Sequence, residues 1–351
     1  MMPVLLDLFS GCGGLTLGSH RAGFTTALAV DVDPILSSSF ASNFPGTRLL
    51  VDDVASLTPA KLSELLPNTI DGVIGGPPCQ AFSEMGLRRI DDPRRTLLSE
   101  FFRVVADVKP AFFLMENVPG LLSDKNRHVL DEALEGLGGR WDILGPIVLD
   151  ASDFGAPTRR RRVFVFGFDS SKITVPSLEY LIKSDALPTN VRDAIFDLNG
   201  AVQSDSNLTH WEYGGDLDVS PYAARMLSTS GRFTGHQRTV HKPETISRFS
   251  TVKPGSVDPV GKHKRLDWSG LCPTLRAGTG SDRGSYQAVR PLHPTEDRVI
   301  TPREAARLQG FPDDFIFHQT VWHSFRMIGN SVSPIISEAL LKKIFNLFSQ
   351  P

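Results

Sequence analysis

Sulfur is scarce in this chain: 351 residues contain three cysteines, Cys12, Cys79 and Cys272. Their number is odd, their spacing is wide and no CxxC pair occurs. Neither a disulfide framework nor a zinc cluster is expected, and the setting that suits such thiols is reducing, intracellular and cytoplasmic. An excess of either charge is also missing, since 37 Lys and Arg stand against 39 Asp and Glu, a net charge of −2. Bulk charge therefore does not announce a nucleic-acid partner, which would have to be met by a local basic patch. No apolar run reaches the ~18 residues of a membrane span. The opening MMPVLLDLF has no basic segment ahead of its apolar run and carries Asp7 inside it, so no signal peptide is expected either. Repeats and low-complexity tracts are absent, and a composition 40% hydrophobic and 22% charged is that of a globular protein, not a disordered one.

What is present alternates. Short apolar runs at 4–9, 26–31, 71–76, 111–118, 141–149 and 162–168 read as strands. Helical patterns at 14–23, 33–44, 59–66, 96–108 and 123–137 fall between them. Strand–helix alternation of this kind predicts an α/β fold, a doubly wound, mostly parallel sheet covered on both faces. From about 170 to 290 the alternation fails in a stretch rich in Pro, Gly, Ser and Thr, which reads as a smaller, loop-rich second domain. Helical patterning returns at 301–311, where Thr301 suits an N-cap and Pro302 and Glu304 the first turn, and again at 333–348.

Three places carry chemistry. DLFSGCGGLTLG (7–18) puts Gly11, Gly13 and Gly14 between the first strand and the first helix, and Asp31 ends the second strand. A glycine loop there is where doubly wound folds hold nucleotide-like cofactors, with a carboxylate for the ribose hydroxyls. The glycine spacing is wrong for a dinucleotide, and acidic Asp7 beside the loop favours a cationic, amino-acid-bearing cofactor over pyrophosphate. An ordinary tight turn remains the alternative. GGPPCQAFSEMG (75–86) places Cys79 just past a strand, after Pro77 and Pro78, which stiffen the turn. A buried cysteine acting as a small hydrophobe is the other reading. LMENVPG (114–120) ends a strand with Glu116 and Asn117, and TRRRRVFVFG (158–167) runs four arginines into another. Alternation along that strand sets Arg160 and Arg162 on one face and Arg159 and Arg161 on the other. A solvated charge run is the competing reading.

These motifs, with ITPREAARLQGFPDDF (300–315) and IGNSVSP (328–334), resemble in content and order those of the C5-cytosine DNA methyltransferases, bacterial or phage type. The resemblance spans nearly the whole chain. It implies a Rossmann-like S-adenosylmethionine-dependent methyltransferase fold over residues 1–171, a target-recognition domain over 172–290, and a segment, 291–351, that returns to complete the catalytic domain. It implies the transfer of a methyl group from S-adenosylmethionine, leaving S-adenosylhomocysteine, to carbon 5 of a cytosine flipped out of double-stranded DNA. Cys79 would be the nucleophile at carbon 6, Glu116 would bind N3 and the exocyclic amine, Arg162 the base O2, and Arg160 would lie beside the thiol and a phosphate. For the cofactor the resemblance implies Asp7, Phe9, Gly11, Gly13, Gly14, Leu15, Asp31, Val32, Asp53, Val54, Pro78, Asn330 and Ser331. Gln80, Ser83, Arg94 and Thr274 would meet DNA.

Two positions depart from the family pattern: Thr158 stands where glutamine is usual, and Val32 where a large aromatic is often found. Between Arg232 and Arg265, eight Lys and Arg face two acids, Glu244 and Asp258, which supplies the local basic patch that net charge withholds. The expected partner is double-stranded DNA; the enzyme is expected either to stand alone or to be paired with a restriction endonuclease, a genetic rather than physical partner. No membrane partner is expected, and the protein is expected to be a monomer. A tRNA-directed relative, a catalytically dead DNA binder and a nicotinamide-dependent oxidoreductase are the competing readings.

Overall fold

The computed structural model describes residues 2–67, 69–78, 96–205, 207–215, 218–277 and 289–348. The chain divides into two compact units, one of residues 1–150, 161–184 and 336–351, the other of residues 151–160 and 185–335.

The first unit is built on seven strands, β1 (Val4–Leu8), β2 (Thr25–Asp31), β3 (Arg48–Val51), β4 (Gly72–Gly75), β5 (Phe112–Asn117), β6 (Asp142–Asp150) and β7 (Arg161–Phe168). They form one sheet in the order β3-β2-β1-β4-β5-β7-β6. β1 runs parallel to β2 and β4, β3 to β2 and β5 to β4, while β7 is antiparallel to both of its neighbours. β5 is buried along its whole length, and β1 and β7 are buried beyond Val4 and beyond Arg162, as apolar runs such as FFLM and VFVF require of a sheet covered on both faces. The helices of this unit are α1 (Gly14–Ala22), α2 (Phe40–Asn43), α3 (Pro59–Leu65), α4 (Thr96–Val108), α5 (Arg127–Glu135) and α6 (Leu178–Ile182).

The second unit holds α7 (Val191–Ile195), β8 (Val202–Gln203), β9 (His210–Glu212), α8 (Pro221–Ala224), β10 (Arg232–Thr234), α9 (Pro243–Ser250), α10 (Pro302–Gln309) and α11 (Val321–Asn330). α12 (Pro334–Phe348) starts in this unit and continues into the first. Within the first unit α1 and α12 meet closely. A Cβ added at Gly18 would lie 2.0 Å from Ser337 Oγ and 2.6 Å from the Glu338 backbone nitrogen, so only glycine lets the two helices approach.

The structure differs from the sequence reading in three places. Of the helix predicted over 33–44 only α2 forms. The Asp33 carboxylate accepts from the Ile35 and Leu36 N–H groups, and the Ser37 and Ser38 hydroxyls donate to the carbonyls of Asp33 and Ile35. Side chains that satisfy the backbone this way stabilise successive turns in place of a helix. Second, β3 and α11 go unpredicted; β3 is a short edge strand, and α11 carries the IGN of the C-terminal motif inside a helix. Third, among its described residues the stretch read as loop-rich contains four short α-helices and a three-stranded antiparallel sheet, β10-β9-β8.

α10 organises the second unit, and charges do much of it. Thr301 and Glu304 close a capping box at its N-terminus, and every residue of the helix is buried. Arg307, fully buried, donates to both carboxylate oxygens of Asp197, to both of Asp313 and to the Ala194 carbonyl. Arg303 reaches the carbonyls of Thr234, Pro312 and Phe315. Five donors in a rigid fork suit arginine to such a place better than lysine. Arg307→Ala would remove the cation that Asp197 and Asp313 share, leaving only Arg303, 3.8 Å from Asp313. The expected loss of stability is about 3–5 kcal/mol, read from chemical denaturation of the full chain. A loss below ~1 kcal/mol, the value of a surface ion pair, would show that α10 is not held this way.

Candidate active site

The carboxyl ends of β1 and β2 gather the first group of residues. After β1 the backbone turns at Phe9, half-buried and held at a positive φ of 58°, an uncommon conformation for a residue with a side chain. Ser10 N–H donates to the Val30 carbonyl and Gly13 N–H to the Ser10 carbonyl, which closes the loop. Gly11 N–H donates to Asp31 Oδ2 at 2.7 Å, and Asp33 N–H donates to Asp31 Oδ1 at 2.8 Å. The second-strand carboxylate is thereby fixed by the first-strand loop. Gly11 sits at φ +53° with open space where a Cβ would stand, so the loop leaves its upper side clear. Gly13 packs under Phe44 and Phe40, Gly14 opens α1, and Leu15 is buried. Val32 projects with 63% of its surface exposed. One strand further out, Asp53 caps a short 3₁₀ turn by accepting from Ala55 N–H, and Val54 beneath it is buried.

Asp7 lies inside β1, paired in register with Ala29 and Ile74 and fully buried. Its Oδ2 accepts from the Thr16 hydroxyl, while Oδ1 has no hydrogen-bond partner among the described residues. Burial pushes the carboxyl up to about 7; the Thr16 hydrogen bond opposes that push and the charge of Asp31 adds to it. Burial also raises Asp31, against the two backbone N–H groups that favour its ionised form. A buried acceptor without a donor, next to a cleared glycine loop and two carboxylates, fits a ligand that carries positive charge and hydroxyl donors. S-adenosylmethionine has both.

The second group gathers at the ends of β4 and β5. Gly75 closes β4, and the chain continues through Gly76, Pro77 and Pro78. Asn117, at the end of β5, donates from Nδ2 to the Pro77 carbonyl at 3.2 Å and accepts the Val118 N–H on Oδ1. The Pro-Pro segment is thus pinned to the neighbouring strand. Glu116 is 8% exposed, and its Oε1 pairs with Arg162 Nε at 2.9 Å. A Cβ at Gly76 would stand 3.0 Å from Glu116 Oε2, so glycine there keeps the carboxylate uncrowded. Cys79, Gln80, Ser83 and Arg94 lie outside the described residues.

In the second unit, Arg160 is 1% exposed. Its Nη1 donates to the Leu275 carbonyl, and its Nη2 to those of Gly329 and Ser331 at 2.9 and 2.6 Å. Thr158 Oγ1 donates to the Cys272 carbonyl and Thr274 Oγ1 to that of Arg159, so 158–160 runs along 272–275. Ser331 is half-buried and its carbonyl also receives Gln309 Nε2; Asn330 ends α11 exposed. Arg160, Thr274 and Ser331 therefore share one neighbourhood. Sequence reasoning missed the roles of Thr16, of Asn117 and of Gln309. The dipeptide Glu116-Asn117 singled out its acid but gave no sign that its amide would hold the Pro-Pro turn.

A sheet in this order, reversed only at β7, with a glycine loop and a fixed carboxylate at the ends of β1 and β2, is the frame of a cofactor-dependent methyltransferase. The C-5 cytosine-specific DNA methylase profile matches residues 4–346. The chain is 39% identical over 358 residues to the type II methyltransferase M.XorII of Xanthomonas oryzae pv. oryzae, covering 96% of this chain and 83% of that protein. It is 32% identical over 382 residues to the type II methyltransferase M.DdeI of Desulfomicrobium norvegicum, covering 97% and 88%. Among solved structures, a DNA modification methyltransferase encoded within an Escherichia coli prophage matches with a TM-score of 0.84 and 38% identity, over 99% of this chain and 100% of that one. The chain belongs to the C-5 cytosine-specific DNA methylase family.

The raised carboxyl of Asp7 gives a pH signature. From about pH 4 to about pH 7 an unfolded chain releases the proton that folded Asp7 keeps, so its stabilising contribution is complete below the unfolded value of 3.8 and lost as pH rises towards 7. Asp7→Asn removes that loss. The stability of the variant relative to the parent should improve by on the order of a few kcal/mol between pH 4 and pH 8, measured by urea denaturation without cofactor. An unchanged difference across that range would contradict the raised carboxyl.

Proposed function

We propose that this DNA (cytosine-5)-methyltransferase acts on a cytosine rotated out of the duplex, through a covalent adduct between Cys79 and carbon 6. The observation that carries the reading is the Glu116–Arg162 pair, held beside Gly76 and the Asn117-pinned Pro77 that lead to Cys79. Carbon 5 of cytosine is too poor a nucleophile to take a methyl group unaided. A thiolate bonded to carbon 6 pushes electron density onto carbon 5, and removal of the carbon-5 proton after methylation expels the thiolate. Glu116 would bind N3 and the exocyclic amine, which draws charge out of the ring. Arg162, paired with that carboxylate, would bind the base O2. Rotating the base out of the stack costs a few kcal/mol, to be recovered from protein contacts, to which Gln80, Ser83, Arg94 and Thr274 are assigned.

S-adenosylmethionine supplies the methyl group when bound. The residues that would hold it are Asp31 at the ribose, Phe9, Val32, Asp53 and Val54 around the adenine, and the loop from Gly11 to Leu15, with Asp7, at the amino-acid end. Pro78, Asn330 and Ser331 complete the set that the family resemblance gives. Arg160 acts in this reading as a positioning residue, because its donors lie on the carbonyls of Leu275, Gly329 and Ser331. Residues 172–290 are the target-recognition domain in this reading, and the type II methyltransferases among the relatives support a modification enzyme, paired with a restriction endonuclease or standing alone. No described helix is long and apolar enough to cross a membrane.

The test is expression of the full chain in a bacterium that lacks 5-methylcytosine, followed by sequencing of the host DNA after cytosine-selective conversion. One short motif protected throughout the genome is the expected result. No protected cytosine from soluble, folded protein would overturn the proposal.

A further inference from the structure

Resting on that reading, we infer that Gln309 is a positioning residue for the cofactor: its side-chain amide fixes the turn at 329–331 that presents Asn330 and Ser331. Gln309 is the last residue of α10 and is fully buried. Its Nε2 donates to the Ser331 carbonyl at 3.0 Å, and its own backbone carbonyl accepts from the Ser333 hydroxyl at 2.7 Å. One residue thus holds the chain on both sides of Val332. The turn is held by its carbonyls from a second segment as well. Arg160 Nη2 donates to the carbonyls of Gly329 and Ser331 at 2.9 and 2.6 Å. A cation therefore sits on the last turn of α11, whose carbonyls have no partner within the helix. Gly329 lies so close to the chain at 276–277 that a Cβ there would stand 2.5 Å from the Ala277 nitrogen. With the carbonyls of 329 and 331 both drawn inward, the residue between them, Asn330, is left exposed.

Stability alone does not account for an amide at this place. Gln309 Oε1 is buried and has no hydrogen-bond partner among the described residues. A buried acceptor without a donor costs at least as much as one neutral hydrogen bond returns. Methionine, of similar volume and without polar hydrogens, would fill the same space and leave no acceptor unmet. Nor does the Ser331 carbonyl depend on the amide for a donor, since Arg160 already supplies one. What the second donor adds is direction. One hydrogen bond lets a carbonyl swing; two, from separate segments of chain, fix where it points. The segment that supplies the second donor is rigid. α10 is capped at its start by Thr301 and Glu304, and Arg303 and Arg307 tie it to the Thr234 carbonyl, to Asp197 and to Asp313. Gln309 hands the position of that helix on to the turn.

The experiment measures initial methylation rates of the full chain against S-adenosylmethionine at saturating duplex, and against duplex at saturating S-adenosylmethionine. It compares wild type, Gln309→Met and Asn330→Ala, with the thermal midpoint of each without ligand. Gln309→Met is expected to raise KM for S-adenosylmethionine about 3- to 10-fold, the worth of one neutral hydrogen bond. Its kcat, its KM for duplex and its thermal midpoint should stay close to those of wild type. The dissociation constant of S-adenosylhomocysteine, measured by calorimetry without turnover, should rise by the same factor as that KM. Gln309→Leu makes the same deletion if the methionine variant folds poorly. A lowered thermal midpoint with both KM values raised alike would mean a merely structural role and overturn the inference, as would a fall in kcat with KM for S-adenosylmethionine unchanged. A wild type that methylates no DNA would sink the methyltransferase proposal. Asn330→Ala with unchanged cofactor affinity would sink the assignment of this turn to the cofactor, and this inference with it. An active wild type, a weakened Asn330→Ala and indifferent Gln309 variants would sink this inference alone.

Discussion

The Glu116–Arg162 pair is the interaction on which the rest of the site depends. β5 and β7 are antiparallel, with Glu116 opposite Phe164, so Arg162 lies two residues along β7 on the same face and reaches Glu116 diagonally. Reversal of a single strand in an otherwise parallel sheet therefore brings a cation to the carboxyl end of β5. Both groups are largely withdrawn from water, and the cost of desolvating either one alone would be several kcal/mol. Each needs the other until a ligand with its own donors and acceptor arrives. Cytosine offers N3, the amine and O2 in one plane, and could take over parts of both.

The two units use buried charge differently. In the first, charge is placed where a ligand can complete it: Asp7 keeps an acceptor oxygen without a donor, and Asp31 is held by two N–H groups at the mouth of the glycine loop. In the second, charge is closed on itself. Arg307 and Arg303 with Asp197 and Asp313, and Arg298 and Arg238 with Glu304 and Glu296, match one another's charge within the protein. This unit combines its buried apolar side chains, Leu198, Met226, Phe233, Leu308 and Phe311 among them, with buried ion pairs. Its ion pairs and buried hydrogen bonds tie its loops to α10 and to one another.

Much of this was legible in the sequence because it rests on local rules. A glycine loop after an apolar strand, a carboxylate ending the next strand and a Thr-Pro-x-Glu helix start each carry their signal within a few residues. The alternation of exposed Arg159 and Arg161 with buried Arg160 and half-buried Arg162 follows from strand geometry alone. What was not legible depends on partners far away in the chain. The carbonyls that receive Arg160 lie 115, 169 and 171 residues further on. Nothing local marks the arginines of α10 for burial, and only their carboxylate and carbonyl partners show why they are buried. The failed helix at 33–44 has another cause: Asp33, Ser37 and Ser38 competed for the backbone, and periodicity does not record that competition.

The central claim is that this site prepares Cys79 to bond with a cytosine held by Glu116 and Arg162. The most direct measurement incubates the full chain with S-adenosylmethionine and a duplex that carries 5-fluorocytosine at the methylated position of its motif. The product is then digested, and the modified peptide is located by mass spectrometry. Fluorine at carbon 5 leaves no proton to remove, so the thiol cannot be expelled. The account predicts a stable protein–DNA adduct on the peptide containing Cys79. Turnover of the unmodified duplex without any such adduct, or an adduct through Cys12 or Cys272, would contradict it.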